Sequence, residues 1–202
     1  IQRGGPGLGN IQGSQADYFQ ATKGGGHGDY RLICLAPASV QESIDLTVDA
    51  FDLADIYRNP VMILGDGILG QMMESAEYKE ITKKKLPAKD WILDGCKGRK
   101  PRMIRSLFMV PGALEEHNFK LGKKFELIKK NEVRCETYKT EDAEIILVGY
   151  GIAGRICKGA VNIARKQGIK AGLIRPITVW PFPSAIINKA ADKTKKFFTV
   201  EM

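Results

Sequence analysis

Apolar positions along the chain alternate between short continuous runs and helical stripes. Arg31-Leu-Ile-Cys-Leu-Ala36 is an apolar run bounded by turn signals, which predicts a buried strand. Ser39-Val-Gln-Glu42 follows. Its serine hydroxyl can accept from the amide three residues on and its glutamate can reach back, so the segment reads as a capping box. The helix it opens runs to about Tyr57 and stops at Arg58-Asn59-Pro60. Glu42, Asp45, Asp49 and Asp52 share one stripe of it, while Ile44, Val48, Phe51 and Ile56 are apolar. That is an amphipathic helix with a wet acidic face. Val61-Met-Ile-Leu64 predicts a second strand, with Gly65-Asp66-Gly67 as the turn at its carboxyl end. A helical crossover between two strands of one sheet implies that they lie parallel.

The same alternation restarts near Glu144. Ile145-Ile-Leu-Val148 predicts a strand, Ile152 to Gln167 a helix closed by Gly168, and Lys170 to Ile174 a strand. Pro183 to Lys193 then predicts a helix and Lys196 to Glu201 a third strand. This β-α-β-α-β order is the strongest fold signal in the chain. Residues 1–30 are loop-like and rich in glycine, with a short helix between Ser14 and Thr22 that starts near Ser14 or Asp17. Residues 75–140 are basic, carry Pro87, Pro101 and Pro111, and read as a connecting segment with some helix. The expected division is therefore 1–75, 76–140 and 141–202, with no internal repeat.

Composition narrows the class. The 202 residues suit one large or two small domains, and 44% apolar with 27% charged residues is ordinary for a folded chain. Collagen-like, low-complexity and disordered classes are excluded. No apolar run approaches the roughly 20 residues of a membrane helix, and no secretory leader is visible. Cys34, Cys96, Cys135 and Cys157 stand far apart without a C-x-x-C pair, so they suit buried free thiols in a reducing cytoplasm rather than a disulfide, zinc or cluster framework. The chain opens on Ile1-Gln2-Arg3 without a methionine and stops in the strand-like run Val200-Glu201-Met202, which suggests a piece of a longer protein.

The net charge of +8 is uneven. Residues 1–80 hold 5 Lys/Arg against 11 Asp/Glu, and the remainder holds 26 against 12. The excess lysines stand in scattered groups such as Lys83-Lys84-Lys85 and Lys195-Lys196, without interleaved aromatics, so a solvated face is favoured over a nucleic-acid surface. The densest group is Lys97, Arg99, Lys100, Arg102 and Arg105. It fits phosphates, an acidic partner subunit or an exposed linker equally.

Several motifs could carry chemistry. Gly149-Tyr-Gly151-Ile-Ala-Gly154 matches G-x-G-x-x-G between a strand and a helix. The acid expected about 20 residues on is missing, since no Asp or Glu occurs from Arg155 to Ser184. Arg175 could instead meet a 2′-phosphate, which would make residues 144–202 an NADP-binding dehydrogenase domain; the plainer alternative is a tight strand-to-helix turn. Gly65-Asp66-Gly67 could open a diphosphate–magnesium motif, but no Asn pair follows, so a bare turn is favoured. His117 lies among acids in the irregular region and reads as solvated, whereas His27 and Asp29 sit on a glycine loop where a turn and an active site are both open. Arg3-Gly4-Gly5-Pro6-Gly7-Leu8-Gly9 presents a guanidinium on a tight loop, suited to bidentate capture of a carboxylate.

Taken in order, a set of segments resembles the α subunit of 2-oxoacid:ferredoxin oxidoreductases. They are Arg3-Gly-Gly-Pro-Gly-Leu-Gly-Asn10, Ser14-Gln15-x-Asp17-Tyr-Phe-Gln20, Gly26-His27-Gly28-Asp29 and Leu35-Ala-Pro-Ala-Ser-Val-Gln-Glu42. Ala50-Phe-Asp-Leu-Ala54, Tyr57-Arg-Asn-Pro-Val61, Asp66-Gly-Ile-Leu-Gly70 and Ile174-Arg-Pro-Ile-Thr-Val-Trp-Pro-Phe-Pro183 continue the series. The branched-chain, 2-oxoisovalerate type is the nearest. The resemblance implies part of a thiamine-diphosphate-binding (pyrimidine-type) parallel-sheet domain followed by a transketolase C-terminal-like α/β domain. It implies coenzyme-A-dependent oxidative decarboxylation of a 2-oxoacid with electrons passed to ferredoxin, thiamine diphosphate and Mg2+ shared with a β subunit, and iron–sulfur clusters on other subunits. A hetero-oligomer is implied, with a dimer of heteromers as one arrangement. It assigns Arg3 to the substrate carboxylate, with Gly4, Gly5 and Gln12 around it, and assigns no catalytic residue to this chain. Gln12 stands where many relatives carry a threonine, in a stretch (Gly7 to Gln12) that departs from their Ser-Thr-Gly-Leu-Pro-Thr. A non-catalytic assembly role for residues 141–202 is the other reading.

Overall fold

Strand β1 (Ile33–Leu35) is buried along its whole length and lies parallel to β2 (Val61–Ile63), with helix α2 (Val40–Tyr57) as the crossover. This is the arrangement the apolar runs predict. The computed structural model describes residues 1–80 and 85–202, so Lys83 and Lys84 of the lysine triplet lie outside the described residues. α1 (Tyr18–Thr22) precedes β1, and α3 (Gly67–Gln71) follows β2.

α2 begins as its sequence requires, with one refinement. The Ser39 hydroxyl accepts from the Glu42 amide at 3.1 Å, but the Glu42 carboxylate reaches the Ala38 amide, one residue before the cap, at 2.8 Å. The buried face of α2 is Leu46, Leu53 and Tyr57, with Ala50 packed beside it. Phe51 and Ile56 are exposed. The expected acidic face is not simply wet: Glu42 pairs with Arg175, Asp45 with Lys79 and Asp49 with Arg134.

The region read as a connector contains more order than its prolines suggest. Helix α4 (Ala113–Asn131) sends a fully buried Ile128 into the core around β1, and β3 (Cys135–Tyr138) joins a second sheet. His117 lies on α4, half-buried and stacked on Phe108 with 4.5 Å between ring centroids, rather than solvated. Charged residues dominate α4, and exposed Phe119 and Leu127 blur its apolar stripe, which masks it as an element.

The second sheet has the order β3-β5-β4-β7, built on β4 (Ile145–Val148), β5 (Ala171–Pro176) and β7 (Lys196–Thr199). β4 is parallel to β5 and β7, and β3 is antiparallel to β5. Helix α5 (Gly151–Lys166) covers one face through Cys157 and Val161 against Leu173. Helix α6 (Ser184–Ala191) covers the other through Ile186, Ile187 and Ala190 against Ile146 and Ile174.

One strand crosses between the sheets. β6 (Thr178–Trp180) follows β5 directly but pairs antiparallel with β1, giving the first sheet the order β2-β1-β6. Trp180 then meets Phe125 of α4 edge to face at 5.8 Å. Cys34 and Cys157 are buried, but Cys96 is exposed, contrary to the expectation for four buried thiols. No helix among the described residues is long and apolar enough to cross a membrane.

Candidate functional site

The Arg3 loop is tied down at both ends. The Gln2 amide donates to Gly65 O at 2.7 Å, and Gly67 donates back to Gln2 O at 3.1 Å. Arg3 then bridges Gly13 in antiparallel fashion, and the Gly4 amide donates to Gln12 O at 2.9 Å. Inside the loop, Gly9 adopts φ +55°, and a Cβ there would fall 1.5 Å from Gly4 O, so only glycine fits. The Asn10 carboxamide oxygen accepts from the Gln12 amide and rests against Gly4.

Arg3 itself is half-buried, and its guanidinium donates to the main-chain oxygens of Gly4 and Gly7. These are neutral acceptors. A carboxylate entering the loop would offer the same donors charge-assisted bonds of roughly twice the strength. Gly5 and Gln12 are exposed on the same loop. The four residues expected at a carboxylate site, Arg3, Gly4, Gly5 and Gln12, are therefore together. His27 and Asp29 are exposed, and among the described residues no hydrogen bond or ion pair joins them to the Arg3 loop.

Sequence reasoning singled out neither Gln2 nor Tyr150 at this site. Gln2 and Gln15 flank the loop and are each only 1% exposed. Tyr150 reaches both from the second half of the chain: its hydroxyl lies 3.1 Å from the Gln2 carboxamide and 3.2 Å from Gln15 O. Gln15 Nε2 donates to Tyr150 O at 2.9 Å. Burial pushes the Tyr150 hydroxyl up to about 12, so it stays protonated as a donor. Tyr150 also lines a cleft of about 440 Å³ beside α1 and the carboxyl ends of β4 and β7, together with Trp180, Phe182, Lys23 and Arg31. None of the expected site residues lines it.

The G-x-G-x-x-G turn is filled from within. Gly151 has φ +55°, and a Cβ there would meet Gln15 Nε2 at 3.3 Å and Pro37 O at 3.5 Å. A Cβ on Gly154 would lie 2.6 Å from Gly149 O and 2.7 Å from the Arg175 stem. Arg175, the residue considered for a 2′-phosphate, is 5% exposed and already paired with two carboxylates. It donates to both Glu42 oxygens at 3.0 and 2.7 Å and to Glu136 at 2.7 Å. The turn is a packing device, and the dinucleotide reading is set aside. Arg99 and Arg102 of the basic group pair with Asp94, while Lys97, Lys100 and Arg105 are exposed.

Asp66 is 2% exposed, and its carboxylate accepts from the Ile68 and Leu69 amides at 2.9 and 3.0 Å. It caps α3 instead of opening a metal site. Among the described residues no group of His, Cys, Asp or Glu is arranged to hold a metal ion. Among the described residues Asp66, the acid of the Gly65-Asp66-Gly67 turn, is thus committed to the α3 cap and not arranged with other acids as a diphosphate–magnesium cradle.

Two family models account for most of the chain. Residues 1–137 match the pyruvate flavodoxin/ferredoxin oxidoreductase, thiamine diphosphate-binding model, and residues 143–202 match core domain II of pyruvate:ferredoxin oxidoreductase. The chain is 52% identical over 202 residues to the ketoisovalerate oxidoreductase subunit VorB of Methanothermobacter marburgensis, covering all of this chain and 57% of that protein. It is 35% identical over 229 residues to the 2-oxoglutarate synthase subunit KorA of the same organism, covering all of this chain and 61% of that protein. The chain thus spans little more than half the length of these relatives. Its fold is shared with 2-oxoglutarate:ferredoxin oxidoreductase from Magnetococcus marinus, solved with 2-oxoglutarate, coenzyme A and succinyl-CoA bound. The TM-score is 0.74 at 23% identity, over 98% of this chain and 40% of that one.

Proposed function

The chain belongs to the pyruvate flavodoxin/ferredoxin oxidoreductase family, and on that premise we propose that it supplies the substrate-carboxylate site of a 2-oxoacid:ferredoxin oxidoreductase. The reaction is coenzyme-A-dependent oxidative decarboxylation of a branched-chain 2-oxoacid such as 2-oxoisovalerate, with ferredoxin as electron acceptor. The observation that carries this reading is the Arg3 guanidinium, half-exposed on a closed loop and resting on two neutral carbonyls. Identity of 52% with a ketoisovalerate subunit, against 35% with a 2-oxoglutarate one, supports the branched-chain substrate.

Decarboxylation removes the charge that Arg3 binds. An arginine that only held the carboxylate tightly would favour the reactant over the transition state. Its contribution is orientation: the fixed fork sets the carboxylate relative to the reacting carbon. Gly4 and Gly5 let the substrate approach the main chain, and Gln12 stands at the loop edge to meet the rest of the molecule. His27 and Asp29 remain proposed as a second loop bordering the site.

Thiamine diphosphate supplies the electron sink for this chemistry when bound. Because Asp66 is engaged as a helix cap, we assign the diphosphate and its Mg2+ to a β subunit, the iron–sulfur clusters to further subunits, and coenzyme A to the assembled enzyme. The protein is then a hetero-oligomer of the cytoplasm. Residues 1–75 and 141–202 are its two proposed units, and the segment 76–140 between them adds α4 to the first core and β3 to the second sheet.

The test is Arg3→Ala in the full-length protein assembled with its partner subunits. Reduction of a low-potential dye is followed anaerobically with 2-oxoisovalerate, pyruvate and 2-oxoglutarate. The variant is expected to lose about 2–4 kcal/mol in kcat/KM, as for removal of one partner of a paired charge. Unchanged KM and kcat would remove the carboxylate assignment.

A further inference from the structure

The G-Y-G turn of the second unit has no nucleotide to hold, yet its tyrosine reaches the two residues that bracket the Arg3 loop. Gln2 stands at the entry to that loop and Gln15 at its exit, and both are almost wholly buried. Between them the chain leaves the Gln2–Asp66 bridge, turns through Gly7 and Gly9 and returns, closed by the Arg3–Gly13 bridge. Gln2 and Arg3 are consecutive in an extended stretch, so their side chains point to opposite faces. Whatever fixes Gln2 fixes the register in which Arg3 is presented.

Hydrogen-bond economy at this point is restrictive. A tyrosine hydroxyl has one proton, and Gln15 O, 3.2 Å away, can only accept. Gln2 Oε1, 3.1 Å away, is a second acceptor for the same proton. The single hydroxyl proton is therefore shared between the two oxygens that bracket the loop. Among the described residues Gln2 Nε2 is buried without a hydrogen-bond partner, so this carboxamide is held through its oxygen. The hydroxyl thus ties the Gln2 side chain to the Gln15 main chain. Gln15 Nε2 returns a bond to Tyr150 O, so the tyrosine is held from both ends.

We propose that Tyr150 is a positioning residue for substrate binding: it clamps the entry and exit of the Arg3 loop, and through them sets the guanidinium that takes the 2-oxoacid carboxylate. The second unit is then a working part of the substrate site rather than an assembly domain alone. The inference rests on the assignment of Arg3 in the preceding section.

The experiment is a double-mutant cycle in the assembled full-length enzyme with Tyr150→Phe and Arg3→Ala, read as KM and kcat for 2-oxoisovalerate. Tyr150→Phe keeps the ring in place and removes only the hydroxyl. It is expected to lower kcat/KM about tenfold, with KM raised and kcat lowered together, since small misplacements of an orienting group cost one to two orders of magnitude. In the Arg3→Ala background the same change is expected to have no further effect. Hydrogen exchange of the peptide containing Gly4 to Gln12 is expected to rise in Tyr150→Phe while the melting temperature changes little. Equal kcat/KM penalties in both backgrounds would overturn the proposal, because the tyrosine would then act on the fold and not through Arg3. If Arg3→Ala has no effect by itself, the carboxylate assignment fails, and the clamp fails with it as a device for substrate binding. A Tyr150→Phe enzyme with unchanged kcat/KM and unchanged exchange would overturn the clamp alone.

Discussion

Arg175 offers a quantitative test of what joins the two units. Its side chain is nearly buried and makes three charge-assisted hydrogen bonds, two to Glu42 on α2 and one to Glu136 on β3. Substituting Arg175→Met keeps the length and volume of the stem but leaves two carboxylates without their shared cation. Breaking a buried pair by removing one partner costs about 3–5 kcal/mol. Two features place this site at the lower end: Glu42 is about one-third exposed and still accepts from Ala38, and Glu136 keeps Lys158. The expected loss is about 3 kcal/mol. Urea unfolding of the intact chain, followed by tryptophan fluorescence, measures it. The double variant Arg175→Met with Glu42→Met should recover at least half, because replacing a whole buried pair by apolar groups is close to neutral. A loss under about 0.5 kcal/mol for Arg175→Met would place it with exposed ion pairs and show that the units are held by β6 and the apolar contacts around Trp180 instead.

Gly154→Ala sets two effects against each other: alanine favours a helix by about 1 kcal/mol, but its Cβ would sit 2.6 Å from a main-chain oxygen that cannot move away. The clash should win, with a net loss of about 1–2 kcal/mol in the same unfolding assay. Ile128→Ala, at a fully buried position, should cost about 3 kcal/mol, and a loss below 1 would mean that α4 does not belong to the core. At Glu136 burial opposes ionisation, but Lys158 and Arg175 outweigh it and hold the carboxyl below its ordinary value of 4.5. Its contribution is therefore complete above that pH and lost as pH falls below it, so Glu136→Gln should flatten the acid limb of a melting-temperature profile. Burial pushes the Cys34 thiol up to about 12 and Cys135 up to about 11. An alkylating reagent at pH 8 should label exposed Cys96 first and leave Cys34 unmodified until the chain unfolds.

Local patterns in the sequence were sufficient for β1, α2, β2 and the β4-α5-β5-α6-β7 alternation, since each is specified by residues within one turn or one run: an apolar stretch, a capping serine, a stopping proline. The parallel pairing of β1 with β2 followed from the same reading, because a helical crossover allows little else. The loop that carries Arg3 was legible too, through glycines that only a tight turn needs, and motif resemblance gave that arginine a role which loop chemistry alone could not. Tertiary structure decided the rest, wherever a residue's role depends on a partner far along the chain. β6 looked like the link between a strand and a helix, and only its pairing with β1, more than 140 residues earlier, makes it a strand. The acids of α2 had the spacing of a solvated face, and their ion pairs with Arg134 and Arg175 come from elements that no local window contains. Arg175 had the right place for a phosphate, but two carboxylates brought in by folding already hold it. Tyr150, Gln2 and Gln15 form no motif, because a hydrogen bond across 135 residues leaves no spacing to read. Periodicity reports which face of an element is apolar, and folding alone determines what that face and its polar edges meet.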